Sequence, residues 1–481
     1  MTRLETGVPE LDLVLGGGFL PGSLVIVSGA PGAGKTILAQ QICFGAATPE
    51  RKAIYYTTLS EPHSKLVRHL EEFEFFDPAA LEERVEFIHL GDLVRKEANT
   101  DGVPDVLSEV VRKCFEGKPT VVVIDSSKAL RDFVDERHFR EVIYDMASRV
   151  AHTEAVLLFL GEYTLEEMEG RAEFSLADSI VHLAFQPHEP VDRRWLRVVK
   201  LRGARHLSGR HSFDIGMGGI KVFPRLETLL PADRVGVSGR VFTGVPGLDD
   251  MMGGGIPAGD ATAILGSSGV GKTVLALRFM AEGLENGERC LYVSFQEDAG
   301  QLVAKAASFG WDLSDAVESG QFVIHHIPHG NLNLDAVGAA VRRELSKGSM
   351  RRVAIDSLAE LVVTARESER FPAYARSLVG FIRAAGASLV ITSETTTLGP
   401  ISEPAGGLSF LFHNVVLLRY IELGSEVRRA VNVMKMRDSV HEKGLAQYEI
   451  DEHGFHVLGP LEGLTGVLGW SALRGHDGSL D

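Results

Sequence analysis

The chain of 481 residues contains one sequence unit twice. Residues 6–36 read TGVPELDLVLGGGFLPGSLVIVSGAPGAGKT, and residues 243–273 read TGVPGLDDMMGGGIPAGDATAILGSSGVGKT. Without a gap, 15 of these 31 positions are identical, at a constant offset of 237. A repeat this long is a duplicated domain, because the repeats of solenoid proteins are far shorter. Length alone would suggest about three domains, but the repeat predicts two.

The similarity continues through both halves of the chain. Three further pairs of segments match: YYTTLSE, ending at Glu61, with LYVSFQE, ending at Glu297; VVVIDS, containing Asp125, with RVAIDS, containing Asp356; and VVKLR, containing Lys200, with NVMKMR, containing Lys435. We therefore predict an N-terminal domain over residues 1–232, a C-terminal domain over residues 238–458 and a flexible tail over residues 459–481. The seam between the domains is expected near residues 229–238, which include a proline and several charges.

Short apolar runs alternate with segments of helical spacing, which predicts an α/β fold. In the first copy, the apolar runs are residues 24–28, 53–58, 85–90, 120–125 and 155–161, and helical spacing covers residues 61–75 and 137–152. Continuous apolar runs of this length suit strands that are buried on both faces. The alternation favours a mostly parallel sheet flanked by helices in each of two tandem domains.

Composition restricts the classes of partner. With 49 basic and 65 acidic residues, the formal net charge is −16, which repels nucleic-acid backbones and anionic membrane surfaces. The chain's cysteines, Cys43, Cys114 and Cys290, are scattered and form no disulfide framework or paired-cysteine zinc motif. The sequence shows no signal-peptide pattern and no apolar run long enough to cross a bilayer. We expect a cytoplasmic protein with buried thiols, with no membrane partner and no dedicated nucleic-acid partner.

Each copy carries a glycine-rich loop of the pattern G-x-x-x-x-G-K-[ST] directly after a predicted strand. Glycines let backbone N–H groups turn towards phosphate oxygens, and the following helix presents its positive end. We expect ATP at both loops, with the lysine on the β- and γ-phosphates and the threonine hydroxyl on Mg²⁺. The predicted binding residues are Gly29, Gly32, Gly34, Lys35 and Thr36 in the first copy, and Gly266, Gly269, Gly271, Lys272 and Thr273 in the second.

Acidic residues follow two of the predicted strands in each copy. Asp125 and Asp356 end their strands and are expected to bind Mg²⁺ near the phosphate loop; the alternative is a cap on the next helix. Glu61 and Glu297 also follow a strand, where a carboxylate can polarise the water that attacks the γ-phosphate. The alternative for this pair is a first-turn glutamate favoured by the helix dipole.

The combination of these motifs resembles the RecA-like KaiC ATPase family. The resemblance rests on the TGVPxLD…GGG entry, the phosphate loop, the strand-end glutamate, the IDS strand and a late K-x-R motif, and it covers roughly residues 3–458. The loop alone is shared with RecA-type recombinases, whereas the duplication together with both K-x-R motifs is specific. The resemblance implies a double-ringed homo-oligomer, a hexamer, that binds ATP at subunit interfaces in both rings.

The resemblance also implies a role for the K-x-R motifs. Lys200 and Arg202, and likewise Lys435 and Arg437, would reach the γ-phosphate bound by the neighbouring subunit. Cations supplied in this way stabilise the charge that spreads over the transferring phosphoryl group. An ordinary charged strand end is the alternative.

Two positions depart from the family pattern. Where the family has two adjacent glutamates, this chain reads Ser60-Glu61 and Gln296-Glu297. A serine or glutamine can orient a water but cannot accept its proton at neutral pH, so we predict slow ATP hydrolysis with Glu61 and Glu297 as the remaining catalytic candidates.

The second departure concerns autophosphorylation. The family's C-terminal domain modifies an adjacent serine and threonine, and the corresponding pair here is Ser409-Phe410. Ser409 is therefore the candidate phosphorylation site of a serine autokinase, although Ser175 in the comparable stretch of the first copy allows that the serine belongs to the fold. Since Phe410 has no hydroxyl, an ordered two-site cycle is not expected.

Three functions remain open on the sequence. The first is a KaiC-like, Mg-dependent, hexameric ATPase, with or without serine autokinase activity, acting in signalling or timing. The second is a RecA- or RadA-type DNA-stimulated ATPase of recombination or repair, against which stand the net charge of −16 and the lack of a basic loop interleaved with aromatic residues. The third is a nucleotide-gated scaffold with little turnover. A regulatory protein partner is left open.

Overall fold

The structure, a computed structural model, describes most of the chain. The described residues are 2–57, 63–89, 111–112, 114–126, 135–168, 171–187, 192–231, 233, 235–328, 332–364, 369–395, 408–423, 426–437, 439–461, 464–465 and 473–474. The chain forms two compact units, Met1–Leu229 and Leu230–Asp481.

The first unit is built on a nine-stranded sheet in the order β3-β2-β4-β5-β1-β6-β7-β8-β9. Its strands are β1 (Ser23–Ser28), β2 (Ala53–Thr57), β3 (Val85–His89), β4 (Val121–Asp125), β5 (Val156–Gly161), β6 (Ser179–Gln186), β7 (Arg193–Leu201), β8 (His211–Gly216) and β9 (Gly219–Phe223). The strands from β3 to β6 in this order are parallel, and β7, β8 and β9 continue the sheet as antiparallel strands. The described helices are α1 (Pro9–Val14), α2 (Lys35–Ala46), α3 (His63–Leu70), α4 (Glu136–Val150) and α5 (Ala172–Leu176).

The second unit repeats this topology. A short pair, β10 (Arg240–Val241) with β11 (Ile256–Pro257), precedes a nine-stranded sheet in the order β14-β13-β15-β16-β12-β17-β18-β19-β20. Its strands are β12 (Ala261–Gly266), β13 (Arg289–Ser294), β14 (Phe322–His326), β15 (Met350–Asp356), β16 (Ser388–Glu394), β17 (Asn414–Leu423), β18 (Glu426–Met436), β19 (Leu445–Asp451) and β20 (Gly454–Pro460). A two-stranded pair, β21 (Leu464–Thr465) with β22 (Leu473–Arg474), follows.

The described helices of the second unit lie between its parallel strands or precede them. They are α6 (Pro246–Met251), α7 (Lys272–Glu285), α8 (Ala299–Ala307), α9 (Ser314–Glu318), α10 (Leu334–Ser346), α11 (Leu358–Thr364) and α12 (Phe371–Ala384). None of the helices in the described ranges of either unit combines the length and the apolar character that crossing a bilayer requires.

Both faces of the first sheet are buried, as the apolar runs predict. Along β1, Leu24 and Ile26 belong to one apolar cluster, whereas Val25 and Val27 belong to the cluster on the opposite face. Successive side chains of a strand point to opposite faces, so a strand covered on both sides must be apolar at every position. The prediction of tandem, mostly parallel α/β domains is confirmed, and all five strands predicted in the first copy are present within one or two residues of their expected ends.

The predicted helix over residues 61–75 was too long, because the described helix ends at Leu70. The N–H of Glu74 donates to the carbonyl oxygen of Met217, 2.8 Å away, instead of continuing the helical ladder. Phe73 and Phe75 stack with ring centroids 5.1 Å apart in the segment that follows. Hydrophobic periodicity could not distinguish this aromatic turn from a further helical turn.

A buried arginine braces the second unit. Arg352 on β15 is 1% exposed, and its Nη1 donates to the carbonyl oxygens of Phe242 at 2.7 Å and Phe279 at 2.8 Å. Its Nε pairs with Glu288. A Cβ on Gly283 of α7 would lie only 2.5 Å from the Cδ and Nε atoms of this arginine, so glycine is required there.

Two glycines in helices of this unit predict opposite effects of the same substitution. Gly380 of α12 has open space around its missing Cβ, so Gly380→Ala is expected to stabilise the second unit by about 0.5–1 kcal/mol through helix propensity. Gly283→Ala is expected to destabilise it by about 1–3 kcal/mol, since the anchored Arg352 must move. Urea denaturation of both variants measures the shifts, and equal shifts for the two would contradict the packing described.

Candidate functional site

The phosphate loops follow the central strands β1 and β12. Gly34 and Gly271 cap the helices α2 and α7 with left-handed φ angles of 100° and 104°. A Cβ on Gly29 would lie 2.2 Å from the carbonyl oxygen of Leu183. Gly32 and Gly269 also have positive φ values, 74° and 75°. These glycines let the backbone fold into a compact loop at the start of a helix, where N–H groups are available to an anion.

The lysine of each loop is buried and directed at the loop itself. Lys35 Nζ donates to the carbonyl oxygens of Gly29 at 2.9 Å and Ala30 at 3.0 Å. Lys272 Nζ makes the equivalent bonds to Gly266 at 3.0 Å and Ser267 at 2.8 Å. Burial lowers the pKa of both lysines below the ordinary value, although nearby carboxylates partly offset this effect. Each ammonium group is thus held over the phosphate loop.

The predicted metal ligands meet in each unit. Thr36 Oγ1 lies 2.9 Å from Asp125 Oδ2, and Thr273 Oγ1 lies 2.8 Å from Asp356 Oδ2. Hydroxyl and carboxylate oxygens are ligands that Mg²⁺ favours, and a site with few protein ligands suits an ion whose other ligands are phosphate oxygens and water. The oxygens present in both units therefore fit a magnesium site beside the phosphate loop.

Sequence reasoning missed a tyrosine that fixes each aspartate. The hydroxyl of Tyr55 on β2 donates to Asp125 Oδ2 at 2.7 Å, and that of Tyr292 on β13 donates to Asp356 Oδ2 at 2.8 Å. Both tyrosines lie two residues before the partner of the aspartate in the strand register. Tyr292 of β13 is therefore the counterpart of Tyr55 of β2, at an offset of 237. The gapless match of YYTTLSE with LYVSFQE has an offset of 236, and it paired Tyr292 with Tyr56 instead.

A second missed residue is the glutamate that follows the strand next to the loop strand. Glu394 ends β16, and its Oε1 lies 3.9 Å from Lys272 Nζ. Glu162, directly after β5, acts on the Lys35 ammonium in the same sense, since it opposes the lowering of that lysine's pKa. Each glutamate lies at the end of the strand next to the loop strand. Its recurrence at that place in both copies was the signal available in the sequence.

The candidate water-activating residues are only partly described. Ser60 and Glu61 lie outside the described residues. In the second unit, Glu297 forms an ion pair with Lys305 of α8. Gln296 donates through Nε2 to Glu360 Oε1 at 3.0 Å. The role of Glu61 and Glu297 stays a prediction.

In each unit, the K-x-R motif lies towards the ends of the strands that are farther from that unit's own phosphate loop. Lys200 pairs in register with Ile180, which pairs with Ile26, three residues before Gly29. The rise is about 3.3 Å per residue, and neighbouring strands are about 4.8 Å apart. The backbone of Lys200 therefore lies about 10 Å from Gly29 along the strand direction and about 10 Å from it across the sheet. The side chain points away as well, because Lys200 Nζ donates to the carbonyl oxygens of Phe174 and Ser175.

The second unit repeats this placement. Lys435 pairs with Val415, which pairs with Ala263, three residues before Gly266. Lys435 Nζ donates to the carbonyl oxygen of Phe412 at 2.9 Å. The two arginines of the motifs make similar contacts: Arg202 Nη2 with the carbonyl oxygen of Ser175 at 3.2 Å, and Arg437 Nη2 with that of Phe410 at 3.1 Å. Burial lowers the pKa of Lys200 and Lys435.

Comparison with known proteins agrees with this geometry. A family model described as the KaiC ATPase matches residues 4–227 and again residues 241–462. The chain belongs to the KaiC ATPase family.

Relatives within the family match along nearly the whole chain. The circadian clock protein KaiC3 of Synechocystis sp. is 28% identical over 97% of this chain and 94% of its own length. The circadian clock oscillator proteins KaiC of Parathermosynechococcus lividus and Thermostichus vulcanus are each 27% identical over 98% of this chain, and over 88% and 92% of their own lengths. Membership of the KaiC family implies nucleotide binding and ATPase activity.

The two KaiC units differ directly beside the phosphate loop. In the first unit, Ser28, the residue before Gly29, shares a hydrogen bond of 3.0 Å with His182 Nδ1. The corresponding register positions in the second unit are Leu265 and Leu417. Burial lowers the pKa of His182 below its ordinary value of 6.5, against the opposing attraction of Glu166. The histidine is therefore neutral at neutral pH.

This histidine predicts a pH dependence confined to the first unit. Below about pH 6.5 the unfolded chain protonates His182 while the folded chain does not, so stability falls as the pH falls from 7 towards 5. His182→Gln keeps a hydrogen-bonding side chain without titrating, and it is expected to flatten part of that fall. Urea denaturation, with hydrogen exchange of strand β6 as the readout for the first unit, measures the difference. Parallel pH profiles for wild type and variant would contradict the assignment.

Proposed function

We propose that this KaiC-family chain is a Mg-dependent ATPase that hydrolyses ATP at subunit interfaces of a hexameric double ring. The observation that carries the proposal is the placement of both K-x-R motifs, about 10 Å along and about 10 Å across the sheet from the loop of their own unit. A lysine side chain cannot span that separation, so the phosphates that these cations serve belong to another subunit. A cyclic arrangement of identical subunits supplies every loop with such cations.

Each residue then has a defined task. The loop N–H groups and Lys35 or Lys272 hold the β- and γ-phosphates, and the cations of the neighbour stabilise the charge of the transferring phosphoryl group. Mg²⁺, held by Thr36 with Asp125 or by Thr273 with Asp356, would neutralise charge on the phosphate oxygens. Slow hydrolysis follows, because Ser60 and Gln296 cannot accept the proton of the attacking water.

Subunit mixing tests the proposal in the first ring. All chains carry Lys272→Ala to silence the second ring; one population adds Lys35→Ala and the other adds Lys200→Ala with Arg202→Ala. Each population alone is expected to lose at least about tenfold of the first-ring turnover. Mixed rings should regain about a quarter of the interfaces, since an intact loop then faces an intact K-x-R motif.

The measurement is ATP hydrolysis of the co-expressed mixture against the two separate populations and the Lys272→Ala parent. Turnover of the mixture no higher than that of either population would contradict a site shared between subunits.

We also propose Ser409 as the acceptor of an autophosphorylation reaction. Its segment, the 3₁₀-helix Leu408–Leu411, is contacted by the second K-x-R motif through the bond from Arg437 to the carbonyl oxygen of Phe410. Cations that reach the γ-phosphate of a neighbour would therefore bring the backbone of Ser409 towards the same phosphate. Arg202 makes a comparable contact with the carbonyl oxygen of Ser175 in the first unit. A serine segment held by the K-x-R arginine is therefore common to both rings and does not by itself single out Ser409.

Phosphopeptide mass spectrometry after incubation with ATP and Mg²⁺ measures this activity. Phosphate is expected on Ser409 of wild type, and it should be lost in Lys272→Ala and in Ser409→Ala. Absence of phosphate from Ser409 in a preparation that hydrolyses ATP would remove the autokinase while leaving the ATPase in place.

A further inference from the structure

In the second unit, the amide of Gln296 pairs with the carboxylate of Glu360. Gln296 follows the carboxyl end of strand β13, as the phosphate loop follows the carboxyl end of β12 in the same sheet. Gln296 lies two residues after β13, and β13 pairs with β15 so that Ser294 is opposite Asp356. Glu360 lies in α11, four residues after Asp356. The N–H of Phe295 donates to the carbonyl oxygen of Asp356 at 3.3 Å, which joins the two segments. Gln296 Nε2 and Glu360 Oε1 are 3.0 Å apart.

The carboxylate determines which way the amide faces. An ionised glutamate only accepts hydrogen bonds, so the NH₂ group of Gln296 must be the end that meets Glu360. The carbonyl Oε1 of Gln296 is then the end of the amide that does not meet Glu360. An attacking water needs an orientation in line with the γ-phosphate, and a glutamine carbonyl orients it by accepting a hydrogen bond. As the bond from the water oxygen to the γ-phosphorus forms and the bond to the ADP oxygen breaks, the proton of the water passes to a γ-phosphate oxygen of the substrate.

The neighbouring carboxylate is engaged elsewhere. Glu297 forms an ion pair with Lys305, and the N–H of Glu297 donates to Ser294 Oγ at 3.2 Å. A water that approached this carboxylate would compete with an ammonium group for the same oxygens. Gln296 is uncharged, and its side chain is exposed two residues after Ser294, the register partner of Asp356.

We propose that Glu360 is a positioning residue for ATP hydrolysis in the second unit, which fixes the Gln296 amide so that its carbonyl oxygen orients the attacking water. This inference rests on the proposed function, because it needs hydrolysis at the second loop. The sequence of the first copy does not repeat these two residue types: position 60 is serine, and Ala129 stands four residues after Asp125, where the second copy has Glu360. The device therefore belongs to one of the two rings.

Substitutions of Glu360 separate this role from its alternatives. All variants are made in the full chain with Lys35→Ala, so that the turnover measured is that of the second site. Glu360→Ala removes the acceptor and is expected to lower kcat for ATP about tenfold with KM changed less than about twofold, since an oriented group acts mainly in the transition state. Glu360→Gln can still accept from Gln296 Nε2 through its own carbonyl, so it is expected to stay within about threefold of the parent.

Two further variants complete the set. Glu360→Lys donates instead of accepting and turns the Gln296 amide around, so its kcat is expected to be at or below that of Glu360→Ala. Glu318→Ala, an exposed glutamate at the end of α9 in the same unit, is the matched control and should leave kcat and KM unchanged.

Each outcome supports or overturns the assignment. The expected order of kcat is parent, then Glu360→Gln, then Glu360→Ala, at nearly constant KM. Equal losses in Glu360→Gln and Glu360→Ala would mean that Glu360 itself takes the proton, and no loss in Glu360→Ala would mean that it has no part. A rise in KM with a fall in melting temperature would indicate support of the fold alone. A Lys35→Ala parent that binds ATP without any turnover would overturn the proposed second-site hydrolysis, and this inference with it.

Discussion

The hydrogen bond between a threonine at the start of a helix and an aspartate at the end of a strand organises both units. This bond, Thr36 with Asp125 and Thr273 with Asp356, joins the helix after the phosphate loop to a strand of the sheet. That strand lies two positions in the sheet from the strand that precedes the loop. A tyrosine from the next strand binds the same carboxylate. Three elements thereby meet at one oxygen, which fixes the loop geometry that phosphate binding requires.

The duplicated units share this framework and differ around it. Asp356 also accepts a hydrogen bond from Thr392, whereas the register position corresponding to Thr392 in the first unit is the buried Leu160. The polar pair of Ser28 and His182 in the first unit is replaced by Leu265 and Leu417 in the second. Gln296 and Glu360 of the second copy stand where the sequence of the first copy has Ser60 and Ala129. The phosphate-loop framework is therefore common to both units, while the polar groups around it differ. This asymmetry gives each unit its own polar surroundings around the same framework.

Much of the site could be predicted because its chemistry is local in the sequence. The glycines, the lysine and the threonine of each loop lie within eight residues, and Asp125 ends an apolar run of the length that suits a buried strand. The contacts that the sequence did not reveal join residues far apart in the chain, such as Tyr55 with Asp125 and Gln296 with Glu360. They depend on strand register, and a gapless alignment displaced by one residue exchanges the two faces of β2 and pairs the wrong tyrosine.

Native mass spectrometry with and without ATP and Mg²⁺ decides whether ATP lies between subunits. We expect particles of six chains that carry up to two nucleotides per chain, and smaller species once nucleotide is removed, because each bound phosphate group would contact two subunits. A single chain that retains two nucleotides and hydrolyses them at the rate of the assembled protein would contradict it.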